Sequence, residues 1–331
     1  MKIAAILPCY NVAEQVLPLI SKFGNEVEHI IIVDDGCPQK SGEKVKAECL
    51  DKRVTVLFHK QNKGVGAAVK NGYNFARTLN CDILVKIDGD GKMDPSRIPE
   101  LVAPILNGEA DYVKGNRFFQ PEELRSMPIK RLATNAAQSF LSKLSTGYWK
   151  IFDPANGYTA IHAKIIARLP VDKISDGYFF EMDLLFRLST LRAVVIDVPM
   201  KAFHGEDAKT IEVRENAFHY IGKSLKNTWR RIAYNYFLRG FSIASFELVI
   251  GKLLLIFGII VGLCISLEND PTDAPATAGL VMLCALPTIV GLQMLLSFLN
   301  YDINQQPSRP LHPSLSDRFD IDYTLDYEQK D

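Results

Sequence analysis

The sequence lacks the marks of a nucleic-acid binder, a disulfide scaffold or a nucleotide kinase. Its 38 Lys and Arg are balanced by 38 Asp and Glu, so the formal net charge is zero. No basic excess marks a polyanion-binding surface, and no nucleic-acid partner is expected. The six cysteines (Cys9, Cys37, Cys49, Cys81, Cys264, Cys284) form no Cys-x-x-Cys pair. Free thiols fit a reducing compartment better than a disulfide framework. The opening Met1-Lys2-Ile3-Ala4-Ala5-Ile6-Leu7-Pro8 is too short in its apolar part for a signal peptide and has no small-residue cleavage site. It reads instead as the first strand of a domain that stays in the cytoplasm. Neither Gly-x-x-x-x-Gly-Lys-Ser/Thr nor Gly-x-Gly-x-x-Gly occurs, which disfavours a P-loop kinase and a Rossmann oxidoreductase. No internal repeat is visible.

What is present, up to about Ala202, is an alternation of strand-like and helix-like segments. Ile3–Leu7, His29–Val33, Val54–His59 and Ile83–Ile87 are short apolar, β-branched runs ended by turn residues. Such runs are typical of parallel strands buried on both faces. Between them, Val16–Phe23, Gly64–Leu79 and Pro95–Leu106 carry helical spacing of apolar residues. The order predicts an α/β domain built on a doubly wound, mostly parallel sheet. Ligands bind such sheets outside the carboxyl ends of the strands, where Pro8, Asp34, Asp35, Asp88 and Asp90 all fall.

The C-terminal third changes character. From Asn216 to Gly240, Lys223, Lys226, Arg230, Arg231 and Arg239 are interleaved with Phe218, Tyr220, Trp229, Tyr236 and Phe237. This is the pattern of an amphipathic helix at a lipid interface. Phe246–Leu267 and Ala276–Leu299 are then each about 20 residues of nearly unbroken apolar sequence, enough to cross a bilayer. The flank before the first span is basic, whereas the linker Glu268–Pro275 has three acids and no Lys or Arg. The positive-inside rule puts both termini in the cytoplasm and the linker outside. The tail from Asp317 is polar and acidic and is expected to be poorly ordered.

Asp88-Gly89-Asp90 is the strongest candidate site. Mg²⁺ and Mn²⁺ take hard oxygen ligands, commonly one or two carboxylates plus substrate phosphates. Two aspartates at a strand exit, with Gly89 allowing close approach, suit that chemistry. Ile30–Gly36 is a strand running into an acidic turn that could accept hydrogen bonds from a base or ribose, or could cap the next helix. Pro8-Cys9-Tyr10-Asn11 offers a ring to flank a nucleobase. Asn62-Lys63-Gly64-Val65-Gly66 opens a helix whose amino end could face an anion.

Taken in order, Pro8–Asn11, Val33–Gly36, Asn62–Gly66 and Asp88–Gly91 resemble the motifs of inverting family 2 glycosyltransferases. With the two C-terminal spans, the chain resembles the polyisoprenyl-phosphate glycosyltransferases, relatives of dolichol-phosphate mannosyltransferase. The resemblance implies a GT-A fold and a divalent ion, Mg²⁺ or Mn²⁺, on Asp88 and Asp90. It implies a nucleotide-sugar pocket formed by Pro8, Tyr10, Val33, Asp35, Lys63, Asp88, Gly89 and Lys92. Asp90, Arg117, Arg131 and Asp153 are its candidate catalytic residues. Asp153–Tyr158 and Phe179–Asp183 look like acceptor-side segments. The implied layout is a catalytic domain over 1–212, juxtamembrane helices over 213–241, a two-span hairpin over 242–299 and a cytoplasmic tail over 300–331. The implied setting is a cell membrane, crossed twice, with the catalytic domain in the cytoplasm.

There are departures from the family pattern. Lys92 replaces a glutamine that helps hold the metal, and an ammonium has no lone pair for a cation. Val12 replaces a glutamate, with Glu14 nearby. A later arginine is missing near Phe203-His204-Gly205-Glu206-Asp207. The Gln-x-x-Arg-Trp signature of processive synthases is absent, which favours a single transfer. The expected reaction moves one hexose from a UDP- or GDP-sugar to a polyprenyl phosphate, with inversion. The phosphate is already an anion and needs no strong base, so Arg117 and Arg131 would bring the two anions together. The alternative acceptor is a hydroxyl of a lipid-linked glycan, for which Asp153 or Asp183 would have to act as base. A non-catalytic membrane partner is the remaining alternative. The amphipathic helix and spans could also support a homo-oligomer.

Overall fold

A computed structural model describes residues 1–119, 129–200, 213–268 and 277–315. The chain divides into two compact units, Met1–Thr228 with Pro307–Asp331, and Trp229–Gln306.

The first unit is built on β1 (Ile3–Cys9), β2 (His29–Asp34), β3 (Val54–Phe58), β4 (Ile83–Lys86), β5 (Tyr112–Asn116), β6 (Thr159–His162) and β7 (Val195–Pro199). Among the described residues these form one sheet in the order β3-β2-β1-β4-β6-β5-β7. Its pairs are parallel except those of β6, which runs antiparallel to both β4 and β5. The doubly wound, mostly parallel sheet expected from the sequence is therefore present, with one reversed strand that the repeating pattern did not announce.

Alternation along the strands builds two apolar layers, because successive side chains point to opposite faces. Ala4, Ile6, Ile31, Val33 and Leu84 pack beneath α3 (Val65–Thr78), with Leu184, Leu185 and Leu188 in the same layer. Ile3, Ala5, Leu7, Ile30, Ile32, Ile83 and Val85 pack on the other face against Val16, Leu19 and α4 (Ile98–Leu106). Each fully buried Ile or Leu contributes roughly 1.5–3 kcal/mol, so these layers outweigh any single polar contact at the site. Gly72 gives α3 its close approach, since a Cβ there would run into the Ile6 side chain.

Several elements differ in length from their sequence reading. The helix expected over Val16–Phe23 is only Val16–Ile20, and that over Gly64–Leu79 is Val65–Thr78. A further helix runs from Phe180 to Leu191. Pro95–Arg97 is a separate 3₁₀ turn, capped by Asp94, whose side chain accepts from the Ser96 amide at 3.0 Å. His204–Asp207, the linker from Asn269 to Pro275 and the acidic tail from Asp317 lie outside the described residues.

The second unit is a helical hairpin of Ile243–Glu268 and Ala278–Asn304, both long and apolar enough to cross a membrane. Most of their large apolar side chains are exposed, among them Leu253, Phe257, Leu263, Leu283 and Ile289. Gly251 and Gly291 let the two backbones meet, because a Cβ on either would press on atoms of the opposite helix. Just before the hairpin, buried Arg231 holds Asp302 through two hydrogen bonds of 2.6 and 3.0 Å. Tyr236 donates to the same carboxylate at 2.6 Å.

Candidate active site

The strand order reverses around β1: β2 and β3 lie to one side of it and β4 to the other. The crevice at the carboxyl ends of β1 and β4 is thus a topological switch point, where such sheets bind ligands. Pro8 and Cys9 leave β1 there, and Asp88-Gly89-Asp90 leaves β4. Gly89 is required by this proximity: a Cβ would stand 2.9 Å from Cys9 Sγ and 3.2 Å from the Pro8 carbonyl. Tyr10 is 45 % exposed beside this crevice, free to meet a planar ligand.

The acidic turn after β2 is largely committed to the protein itself. Asp34 accepts from the Cys37 and Gly42 amides at 2.7 and 2.6 Å, capping the start of α2 (Ser41–Glu48). Asp35 accepts from the Lys63 and Gly64 amides at 2.9 and 2.8 Å and from His59 Nδ1 at 2.6 Å. Asn71 donates to His59 Nε2 at 2.7 Å, which leaves Nδ1 to carry the proton toward Asp35. Burial alone would raise the Asp35 pKa, but these donors hold it below the usual carboxylate value. Asp35 therefore ties the loop Asn62–Gly64 to the end of β2. Val33 is fully buried and sends its side chain into the core, whereas Lys63 is exposed. Cys37, also in this turn, accepts from the Asn11 amide at 3.1 Å and lies 3.1 Å from Ser41 Oγ. Burial would raise its thiol pKa, but hydrogen bonds from the Ser41 hydroxyl and from the Ser41, Asn11 and Gln39 backbone together outweigh it and lower the value.

Asp88 and Asp90 differ in their surroundings. Lys86 Nζ approaches Asp88 Oδ1 at 2.9 Å. That buried oxygen nevertheless has no partner in hydrogen-bonding geometry. Asp90 is more open; its Oδ1 accepts from the Lys92 amide at 3.1 Å and its Oδ2 lies 3.3 Å from Lys92 Nζ. Among the described residues, no cluster of three or more His, Cys, Asp or Glu could hold a metal. The pair fits a hard divalent ion only in the mode where diphosphate oxygens and water fill the remaining positions. The Asp88 side chain is 36 % exposed although Oδ1 is sealed against Lys86, so its other oxygen is the one such an ion would use.

Arg117 and Asp153 meet on the same edge. β5 runs parallel to β4, being separated from it by the antiparallel β6, so Arg117 follows a carboxyl end on the side where Asp88 lies. Its Nε and Nη2 donate to the two Asp153 oxygens at 2.8 and 3.1 Å, and its amide donates to the same carboxylate at 3.3 Å. Asp153 is 1 % exposed, whereas the Arg117 side chain is 41 % exposed, so the guanidinium keeps a free face. Burial disfavours the Arg117 charge, and Asp153 overcomes this and raises its pKa. The turn Asp153–Tyr158 is fixed from below. Buried Lys114 donates to the Asn156 carbonyl at 2.7 Å, and Asn156 Nδ2 donates to the Gly115 carbonyl at 2.6 Å. Burial brings Lys114 down to about 8, against the opposing pull of Glu181, Asp153 and Asp197. Burial also lifts nearby Asp197 to about 6, although it accepts from the Phe152 amide at 2.7 Å.

Arg131 lies on the helix Ile129–Thr146, and its side chain is outside the described residues. Asp183 accepts from the Ser175 amide at 3.0 Å and from Asn227 at 3.4 Å, and it pairs with Arg187 at 3.3 Å. Glu181 pairs with Lys86 at 2.8 Å. Sequence reasoning missed Lys86 and Lys114. The available signal was a lysine inside each of two runs otherwise apolar enough to be buried, which demands a partner.

Next to Arg117, an apolar cleft of about 270 Å³ is lined by Phe118, Ala136, Phe140 and Phe152, with Lys143 at its side. Lys143 Nζ stands 5.6 Å from the Phe152 ring.

Residues 4–169 match the sequence profile of glycosyl transferase family 2. A UDP-N-acetylglucosamine–dolichyl-phosphate N-acetylglucosaminyltransferase of Methanococcus voltae is 28 % identical over 215 residues, covering 61 % of this chain and 85 % of that protein. An undecaprenyl-phosphate mannosyltransferase of Micrococcus luteus is 28 % identical over 204 residues, covering 60 % and 83 %. Among solved structures, glucosyl-3-phosphoglycerate synthase of Mycobacterium tuberculosis superposes with a TM-score of 0.52 at 19 % identity, covering 70 % of this chain and 79 % of that one. The same enzyme with Mn²⁺, UDP-glucose and phosphoglyceric acid gives a TM-score of 0.50. The mixed sheet described above is of the GT-A type, followed by two apolar helices.

Proposed function

Because the chain belongs to glycosyltransferase family 2, we propose that it transfers one sugar from a nucleoside-diphosphate donor to a polyprenyl phosphate at a membrane surface. The relatives named for dolichyl- and undecaprenyl-phosphate transfer support the acceptor. The observation that carries the reading is one sheet edge bearing both an aspartate pair, Asp88 and Asp90, and a half-exposed arginine, Arg117, backed by a buried carboxylate.

The donor diphosphate would lie against Asp88 and Asp90 through Mg²⁺ or Mn²⁺, as the Mn²⁺ and UDP-glucose of the fold neighbour support. The ion supplies neutralisation of the departing diphosphate. Pro8, Tyr10, Gly89 and the loop held by Asp35, with Lys63, surround the nucleoside and phosphates, and Lys92 reaches a phosphate rather than the ion. Arg117 offers its free face to the acceptor phosphate, with Arg131 as a second cation. A phosphate oxygen then bonds to the anomeric carbon as the bond to the donor diphosphate breaks. The electron pair leaves with the diphosphate, no proton is transferred, and attack from the opposite side inverts the centre.

Asp153 has both oxygens occupied by Arg117, which favours an acceptor that arrives already ionised over one needing deprotonation. The exposed apolar faces of Ile243–Glu268 and Ala278–Asn304 support a membrane-spanning hairpin. Exposed Leu225 and Trp229 among the basic residues of the preceding helix support its lying at the headgroups. The charge asymmetry of the flanks supports an orientation with both termini in the cytoplasm. The test is to incubate membranes carrying the chain with labelled UDP-sugars or GDP-mannose, Mn²⁺ and a polyprenyl phosphate. A lipid-linked sugar that disappears in Asp90→Ala is the expected outcome; no lipid product from any donor refutes the proposal.

A further inference from the structure

Lys86 is out of keeping with its strand. It ends β4 in an otherwise apolar run and is only 1 % exposed. A buried ammonium persists only when paired. Its Nζ lies 2.9 Å from Asp88 Oδ1 and 2.8 Å from Glu181 Oε1. These carboxylates come from different segments: Asp88 follows β4, and Glu181 lies in the first turn of the helix Phe180–Leu191. A third segment closes over the pair. A Cβ on Gly157 would stand 2.5 Å from Lys86 Nζ and 2.7 Å from Asp88 Oδ2. The glycine is therefore a condition of the arrangement, and so is the register that sets Lys86 opposite Thr159 on β6.

We propose that Lys86 is a positioning residue for donor binding, whose one ammonium holds Asp88 in place against the repulsion of Glu181. The proposal rests on the glycosyl-transfer reading. Without Lys86, two carboxylates would face each other with no cation between them, and Asp88 would turn from the place where it meets a cation–diphosphate complex. Glu181 is then the source of the damage, so its removal should repair much of what the loss of Lys86 causes. A merely structural lysine would show no such repair.

The experiment is a calorimetric cycle on the full chain in detergent. UDP and GDP are titrated with and without Mn²⁺ into wild type, Lys86→Met, Glu181→Gln and the double variant, and each protein's melting temperature is recorded. Lys86→Met is expected to weaken Mn²⁺-dependent binding about tenfold or more, as follows when one partner of a buried charge pair is lost. Glu181→Gln keeps the Lys86–Asp88 pair and should stay within about threefold of wild type, and the double variant should regain most of the affinity and melting temperature. In transfer assays Lys86→Met should raise the donor KM more than it lowers kcat. Wild-type affinity in Lys86→Met, or no repair in the double variant, overturns the role of Lys86. If Lys86→Met does not fold, the double variant is compared with Glu181→Gln, and a further loss of about tenfold overturns it. A wild-type chain that binds neither nucleotide overturns the donor reading itself, and the donor role of Lys86 with it.

Discussion

Acidification should loosen the end of β6 at His162, where the chain beyond the apolar hairpin returns to the first unit. His162 ends β6, is 3 % exposed, and accepts from the Lys164 amide through Nδ1 at 3.2 Å. Its ring stacks on His312 at 4.5 Å. His312 and Leu311 in turn donate backbone amides to buried Asp111 at 2.9 and 2.8 Å. Burial foremost, then His312 and Lys164, depress the His162 pKa from 6.5 to about 4. Between those values the unfolded chain binds a proton that the folded chain refuses. The contribution of neutral His162 is thus whole above pH 6.5 and is lost as pH falls toward 4. At about 1.4 kcal/mol per pH unit, that window is worth about 3 kcal/mol. Asp197 works in the opposite sense, since its pKa is raised to about 6 and it takes up protons on folding in acid. The two offset each other in wild type, and other carboxylates titrate in the same range, so the measurement has to be a difference. His162→Asn keeps an acceptor for the Lys164 amide but does not titrate. Thermal unfolding of the full chain in detergent should show wild type losing about 2–3 kcal/mol more than His162→Asn between about pH 7 and pH 4.5. Parallel loss in the two proteins would mean that the ring is not held neutral, and would refute the reasoning.

Two further outcomes follow from the site. Arg117→Lys keeps the charge but loses the two-pronged grip on Asp153; transfer kcat should fall at least about tenfold while calorimetric nucleotide affinity changes by less than about threefold. Gly157→Ala forces a methyl group against Lys86 and Asp88. It should lower stability by about 1–3 kcal/mol in denaturant titrations and weaken nucleotide binding, whereas alanine at exposed Gly177, where nothing lies within 4 Å, should do neither.

The parts of the fold that were legible in the sequence were those set by local pattern. Ile83–Ile87 read as a buried strand because apolar residues run together and a turn follows, and its exit therefore placed Asp88 and Asp90 at a carboxyl end. The two apolar helices were legible for the same reason. The parts that were not legible depend on distant partners. Thr159–His162 is too short for its pattern to reveal antiparallel pairing, which β4 and β5 decide from elsewhere in the chain. Pro307–Leu315 falls in the segment the sequence assigns to a cytoplasmic tail, yet Leu311 and His312 bond to Asp111, some 200 residues earlier. Asp35 read equally well as a ligand for a base and as a cap. Only the positions of His59, Lys63 and Gly64 show that its carboxylate organises the neighbouring loop.

The same distinction bears on the acceptor. A motif lists carboxylates near an active site but does not show how their oxygens are used. Asp153 spends both on Arg117, Asp183 bonds to Ser175 and Asn227, and Glu181 pairs with Lys86. A hydroxyl acceptor needs one of these groups to take its proton within hydrogen-bond reach, and each would first have to give up a partner that holds it in place. A phosphate acceptor makes no such demand. It needs a cation with a free face, which Arg117 has, and a charge balance that lets a second anion approach the donor. The carboxylates at this edge are paired with lysine and arginine as a bound anion would require: Asp88 with Lys86, Asp90 with Lys92 and Asp153 with Arg117. The pairing that removes a base from the site is thus the same pairing that lowers the electrostatic barrier to an incoming lipid phosphate.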